Sequence, residues 1–287
     1  MKLAGTGVWS FPLRYGDPAE AAEATTELEE LGFSAVWIPD VGGPLFDALD
    51  SMLRATDRIV IASGILNLWM HTPQETAEQF SILTSKYGDR FLMGIGVSHA
   101  PAIDAIVEPG LYRNPLGAMV TFLDGLDAAD TPVPRESRLL AALGPKMLGL
   151  AASRAGGAHP YLVSPEHTAL AREALGPGAL LAPEQTVIFC KDRQGARDIG
   201  AHWLGQYLQM PNYANSVQRL GFTREDVDTV SDRLFDSLIA WGDEDDIVAR
   251  ISEHTDAGAD HVCAQVLTAD LTALPRVEWR RLAAAVA

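Results

Sequence analysis

Four times along the chain an amphipathic helical stretch ends at a glycine and an unbroken apolar run follows. The phrases are EELGFSAVWIPD (29–40), SKYGDRFLMGIGVS (85–98), SRAGGAHPYLVS (153–164) and TDAGADHVCAQVL (255–267). Glycine suits the left-handed position just past a helix C-terminus, so each phrase reads as a helix-to-strand junction. The runs are continuously apolar instead of alternating, which predicts strands buried on both faces and paired in parallel. Eight strands are predicted: Leu3 to Trp9, Ala35 to Ile38, Ile59 to Leu66, Phe91 to Val97, Leu139 to Leu143, Pro160 to Val163, Glu184 to Cys190 and His261 to Leu267. Asp17-Pro18, Pro44 and Thr72-Pro73 open helices, with Glu75 in the first turn of the third; another helix runs near Ala118 to Ala129.

Eight strands alternating with helices in 287 residues predict an α/β fold of the (β/α)8 TIM-barrel type. Residues 193–258 are too long for one crossover and predict helices over 193–209, 212–220 and 223–240, a helical insertion between strands seven and eight. No composition shift or low-complexity linker divides the chain, so residues 1–287 are expected to form a single barrel domain.

Composition narrows the function. The formal charge is −16, from 38 acidic against 22 basic residues, and no Lys/Arg-dense stripe exists to offset nucleic-acid phosphates. Cys190 and Cys263 are isolated within apolar runs, so they read as buried thiols and not as a disulfide framework or zinc site. The N-terminus lacks an apolar stretch of signal-peptide length, and no run approaches a membrane span, so a cytoplasmic location is expected.

In such barrels chemistry sits where the strands end. That places Ser10, Phe11, Asp40, Asn67, Trp69, His71, Ser98, His99, Gly144 to Lys146 and Ser164 at one rim. No metal-binding cluster, Walker loop or GxSxG is present, and the neighbours are Trp, Met, Leu, Ile and Val. Such a lining suits a flat, mostly apolar ligand with a few polar contacts, and favours a cofactor-binding oxidoreductase acting on a small molecule. Within LLAALGPKMLGLAAS (139–153) the strand stops at Gly144-Pro145-Lys146 and a helix begins. Free N–H groups at that helix start favour an anion, while a plain tight turn with a solvated lysine explains the same residues.

The pieces GFSAVWIPD, IASGILNLW, FLMGIG and LGPKMLGLAASRAGGAH, in this order, resemble the luciferase-like family of flavin- and deazaflavin-dependent oxidoreductases, particularly its coenzyme F420-dependent branch. The resemblance implies a cofactor phosphate over Leu143, Gly144, Pro145, Lys146 and Met147, with Ser164 nearby. It implies a bulge at Ser63-Gly64-Ile65 carrying a non-proline cis peptide, Gly64–Ile65, behind the tricyclic ring, and Gly96 beside it. By analogy the bulge props the deazaflavin into a bent shape, and hydride moves between its C5 and a small organic substrate.

Asp40 matches a position where relatives place a polar or acidic active-site residue. A carboxylate at the rim of an apolar pocket can act as acid or base, and an N-cap or loop aspartate explains it as well. His99 is the second candidate proton handler; His71 and His159 rank lower, His159 because it precedes strand six. Relatives that oxidise sugar phosphates carry a glutamate near the end of strand four, where this chain reads GIGVS, which argues against that substrate. The short stretch 98–117 leaves MPNYANSVQRLGF (210–222) as the candidate cap, with Asn212, Tyr213 and Asn215 able to touch substrate. An FMN-dependent monooxygenase shares the barrel and the phosphate loop, and a ligand-binding barrel without catalysis is a third reading. Relatives often form homodimers, so a homodimer is expected.

Overall fold

The computed structural model describes residues 3–286. Eleven strands appear among them: β1 (Gly5–Trp9), β2 (Ala35–Ile38), β3 (Val60–Ser63), β4 (Leu66–Asn67), β5 (Phe91–Gly96), β6 (Arg138–Leu140), β7 (Gly157–Ala158), β8 (Leu180–Leu181), β9 (Glu184–Ile188), β10 (Ile239–Trp241) and β11 (His261–Val266). They pair in parallel in the order β10-β9-β11-β1-β2-β3-β5-β6-β7-β8, with β4 on β5. The stretch 180–188 serves two neighbours. Ala182 N donates to Ala158 O and Glu184 N to Pro160 O on one side, while Cys263 N donates to Pro183 O on the other. The sheet therefore curls round on itself in the manner of a TIM barrel, with helices outside.

The apolar patterning has a direct cause in this curl. One face of each strand packs on the helices, where Ile38, Leu49, Leu53, Ile61, Phe91 and Leu123 share a continuous core. The other face fills the interior with Trp9, Trp37, Ala62, Leu92, Leu139, Ala182 and Cys263. Trp37 stacks on His159 at 4.4 Å and 16°. Its Nε1 donates to His261 Nε2 at 3.1 Å, and His261 Nδ1 lies 3.2 Å from Ser34 Oγ. Burial holds His159 at about 4 and His261 at about 3, so both imidazoles are neutral near pH 7.

Several elements differ from the pattern-based reading. Strand six is Gly157–Ala158 and not Pro160–Val163: Pro160 has no N–H to donate, and Leu162 adopts a positive φ of 56°, so the chain leaves the ladder. His159 accordingly lies beyond a strand, inside the barrel. Strand five ends at Leu140, and strand three divides into β3 and β4 around a cis Gly64–Ile65 peptide, at the position expected. The region expected as one helix over 223–240 holds two short ones, Arg224–Thr229 and Asp232–Leu238, followed by β10 on the outer side of β9. Val230 breaks the helix with a φ of 48°. The helices Arg193–Leu208 and Pro211–Arg219 precede these two, and together they bury a second core around Trp203, Leu204, Phe235 and Tyr213.

Candidate active site

The rim at the strand C-termini is built on a break in one strand. Gly64 turns out of β3, its N donating to Ile38 O, and its carbonyl accepts from Trp9 Nε1 at 3.0 Å. A Cβ on Gly64 would lie 2.5 Å from that indole nitrogen and 3.3 Å from His159 Nε2, so any larger residue must displace these side chains. Ile65 is half-buried and lies over β5: a Cβ on Gly96 would come within 2.5 Å of its side chain and 3.2 Å of Ala141. Gly96 thus lets Ile65 lie flat, and Ile65, Val97, Ala141 and Leu143 form a half-buried apolar floor. Ser63 is fully buried and donates to Gly94 O at 2.8 Å, so its hydroxyl serves the strand pairing.

Two helix starts adjoin this floor. Gly144 opens the helix Pro145–Arg154 and Ser164 opens Pro165–Leu175, and neither helix has a side-chain cap. The Lys146 and Met147 N–H groups belong to the unpaired first turn, whereas Leu148 N is bonded to Gly144 O. The Ser164 hydroxyl is completely buried and has no partner, an uncommon and costly state. His167, in the same turn, donates from Nε2 to Leu143 O at 2.9 Å and leaves Nδ1 buried and unpartnered. Arg219 reaches the same carbonyl at 3.1 Å from the end of Pro211–Arg219 and stands beside Gly144. Lys146 is exposed. The charge beside the floor therefore comes from Arg219, which sequence reasoning missed because its position depends on how a distant helix crosses the rim.

Asp40 lies on the β2 side of the rim and is 4 % exposed. Its Oδ2 accepts from Asn67 N at 3.1 Å and is 2.9 Å from His71 Nε2. Asp40 and His71 line a cleft of about 420 Å³ with Gly42, Gly43, Met70, Ile106 and Val107. His99 is held elsewhere, its Nδ1 2.9 Å from Asn212 Oδ1 and its ring 5.0 Å from that of Tyr213. Burial lowers the His99 pKa, and the Asn212 bond opposes that shift. The structure thus pairs Asp40 with His71, and His99 with the helix that crosses the rim.

Between these parts lies an aromatic cluster that the sequence did not signal. Trp9 packs on Tyr161 at 5.1 Å, and Tyr207 joins Tyr161 and Tyr213 at 5.6 and 5.4 Å. Tyr161 donates to Gln265 Oε1 at 2.6 Å. Below them Glu184 is fully buried, accepting from Leu162 N at 2.8 Å and Thr186 Oγ1 at 2.6 Å. Desolvation raises its pKa to about 7 despite both bonds.

The rim thus combines a curled parallel sheet with two uncapped helix starts at its C-terminal end. Residues 3–107 match the sequence model of the luciferase-like monooxygenase family. No curated protein matches the chain by sequence. Among solved structures, the coenzyme F420-dependent tetrahydromethanopterin reductase from Methanopyrus kandleri is similar over 99 % of this chain and 98 % of its own, at 17 % identity and a TM-score of 0.78. An F420-dependent secondary alcohol dehydrogenase, in complex with an F420–acetone adduct, is similar over 100 % of both chains at 16 % identity and a TM-score of 0.72. The oxygenating constituent of 3,6-diketocamphane monooxygenase from the CAM plasmid of Pseudomonas putida, in complex with FMN, covers 99 % of this chain and 97 % of its own at 13 % identity and a TM-score of 0.71. At these identities the likeness is one of fold, and it spans both deazaflavin and flavin proteins. No helix among the described residues is long and apolar enough to cross a membrane.

Proposed function

We infer that the protein is an oxidoreductase that binds coenzyme F420 across this rim and acts on a small organic substrate. The observation that carries the reading is the buried, unpartnered Ser164 hydroxyl beside the uncapped start of Pro145–Arg154 and the Arg219 guanidinium. A phosphate accepts from all three kinds of donor and removes the cost of the unpaired hydroxyl. Ser164, the Lys146 and Met147 N–H groups and Arg219 would hold the phosphate, with the floor of Ile65, Val97, Ala141 and Leu143 under the ring system. Bound there, F420 supplies a hydride donor or acceptor at C5. Asp40 and His99 stand at separate parts of the rim as candidate groups to hold or move the accompanying proton.

The test is fluorescence titration of the purified protein with F420 and, separately, with FMN. Micromolar F420 binding, about −8 kcal/mol, is expected, weakened by Ser164→Ala and Arg219→Ala and less by Lys146→Glu, since that lysine is exposed. Preference for FMN would replace this reading with that of a flavin monooxygenase. Binding of neither cofactor would overturn both.

A further inference from the structure

The cleft beside Asp40 has a chemistry of its own. Two opposed segments form it: 40–43 with Met70 and His71, and the end of the short helix Ala100–Ile106 with Val107. Apart from Asp40 and His71 its lining is glycine, methionine, isoleucine and valine. Large apolar side chains stand exposed on these segments and beside them, notably Val41, Ile106 at 53 % and Val107. Phe11 and Tyr15, also exposed, pack on each other at 4.6 Å with their planes tilted by 36°, and the Tyr15 hydroxyl accepts from Val41 N. Apolar side chains gathered this way on one polar pair are what an apolar ligand with one polar end requires.

The polar pair is arranged asymmetrically. Asp40 is nearly shut off from solvent, and its carboxylate is engaged by Asn67 N, by Gly42 N at 3.4 Å and by His71 Nε2. A carboxylate only accepts, so Nε2 carries the hydrogen and Nδ1 is the free lone pair of the neutral ring. Among the described residues Nδ1 makes no hydrogen bond, and it is not one of their buried unpartnered atoms. It is left for whatever enters the cleft. Phe46 meets the His71 ring edge-on at 5.6 Å and helps fix its plane.

We propose that this cleft binds an uncharged, apolar molecule with a hydroxyl or carbonyl oxygen, and that His71 Nδ1 is the atom exchanging a proton with that oxygen. Asp40 is then a positioning residue that sets the tautomer and stabilises the imidazolium. In one direction the substrate O–H breaks and Nδ1–H forms, the positive charge being offset by Asp40; the reverse step returns the proton. An anionic substrate is disfavoured because the cleft lining carries the Asp40 carboxylate, while the neighbouring Arg14 guanidinium is engaged with Gly42 O at 3.0 Å. The catalytic part rests on the oxidoreductase reading above, in which F420 is the hydride partner; the binding part does not.

The test is nitrogen-15 NMR of the imidazoles in the cofactor-free protein, with the His71 signals assigned by His71→Asn. The probes are 2-hexanol, 2-hexanone and hexanoate. His71 is expected as the Nε2–H tautomer in wild type, with that preference lost in Asp40→Asn. The alcohol is expected to shift Nδ1 and hexanoate to leave it unmoved. With F420 and 2-hexanol, His71→Asn is expected to lower kcat about a hundredfold or more while KM and F420 affinity change little. Hexanoate binding as tightly as the alcohol, or alcohol shifts on other histidines only, would overturn the proposal. Failure of wild type to bind F420 would sink the hydride reading and leave the NMR result standing as a test of the cleft.

Discussion

Three glycines at the rim have different tolerances. A methyl on Gly64 meets an indole nitrogen and an imidazole, side chains with some room to shift; on Gly96 it meets Ile65 and Ala141. On Gly94 it would sit 2.1 Å from the Ser63 carbonyl oxygen, which is backbone of the neighbouring strand. Gly64→Ala and Gly96→Ala should fold with a loss of about 1–3 kcal/mol and weakened cofactor binding, while Gly94→Ala should yield little soluble protein. Denaturant titration of all three separates these outcomes. The residue scale also shows what a sequence can disclose. Gly64 was legible through the family resemblance, with which a glycine inside the β-branched run IVIASGIL agrees. Asp40 was legible as a rim residue, whereas its partnership with His71 depends on two loops meeting, which no spacing encodes. Glu184 reads as an ordinary strand-opening acid until its complete burial is seen.

At the scale of elements, local chemistry was the readable part. Asp17 accepts from Ala19 N and Glu20 N, and Thr72 accepts from Glu75 N, each at a helix start that the Asx/Thr-Pro pairs predict. Strand six was misplaced because hydrophobic content continues past the point where Pro160 and Leu162 leave the ladder. The helix Pro211–Arg219 is the element whose importance exceeded its sequence signal. Asn212 near its start holds His99, Tyr213 packs in the aromatic cluster, and Arg219 at its end reaches Leu143 O. Arg219→Ala should therefore reduce affinity for F420 about tenfold, equivalent to one charge-assisted hydrogen bond. Asn212→Ala should leave that affinity near wild type and release His99, visible as a changed imidazole signal in NMR. A single helix crossing would then be shown to serve two parts of the rim independently.

For the whole molecule, four buried groups with large shifts contribute to the pH response of stability, alongside smaller depressions at His99 and His167. Burial is the chief cause at His159, His254 and His261, lowering them from 6.5 to about 4, 3 and 3, and it raises Glu184 from 4.5 to about 7. The histidine contribution is complete above their unfolded value and is lost as pH falls below 6.5. The Glu184 contribution has the opposite sense, being complete below 4.5 and lost as pH rises through 7. Between those limits unfolding takes up three histidine protons and releases one carboxyl proton, a net uptake of about two. Stability should fall steeply on acidification below 6.5, decline slightly between 6.5 and 7, and level off above that as far as these groups are concerned. Glu184→Gln should remove the shallow decline between pH 6.5 and 7, which is under about 1 kcal/mol, and steepen the acid limb from a net uptake of about two protons to about three, as denaturant unfolding at a series of pH values will show. The architecture has a further consequence for synthesis. Strand β1 is flanked by β2 and β11, and Gly5 pairs with His261, so β1 leaves the ribosome long before one of its two partners. During translation the nascent sheet grows with one bare edge along β1, a template for pairing with other chains until residues 261–266 emerge. Ribosome-bound fragments ending before β11 should engage chaperones, and the full-length chain should release them.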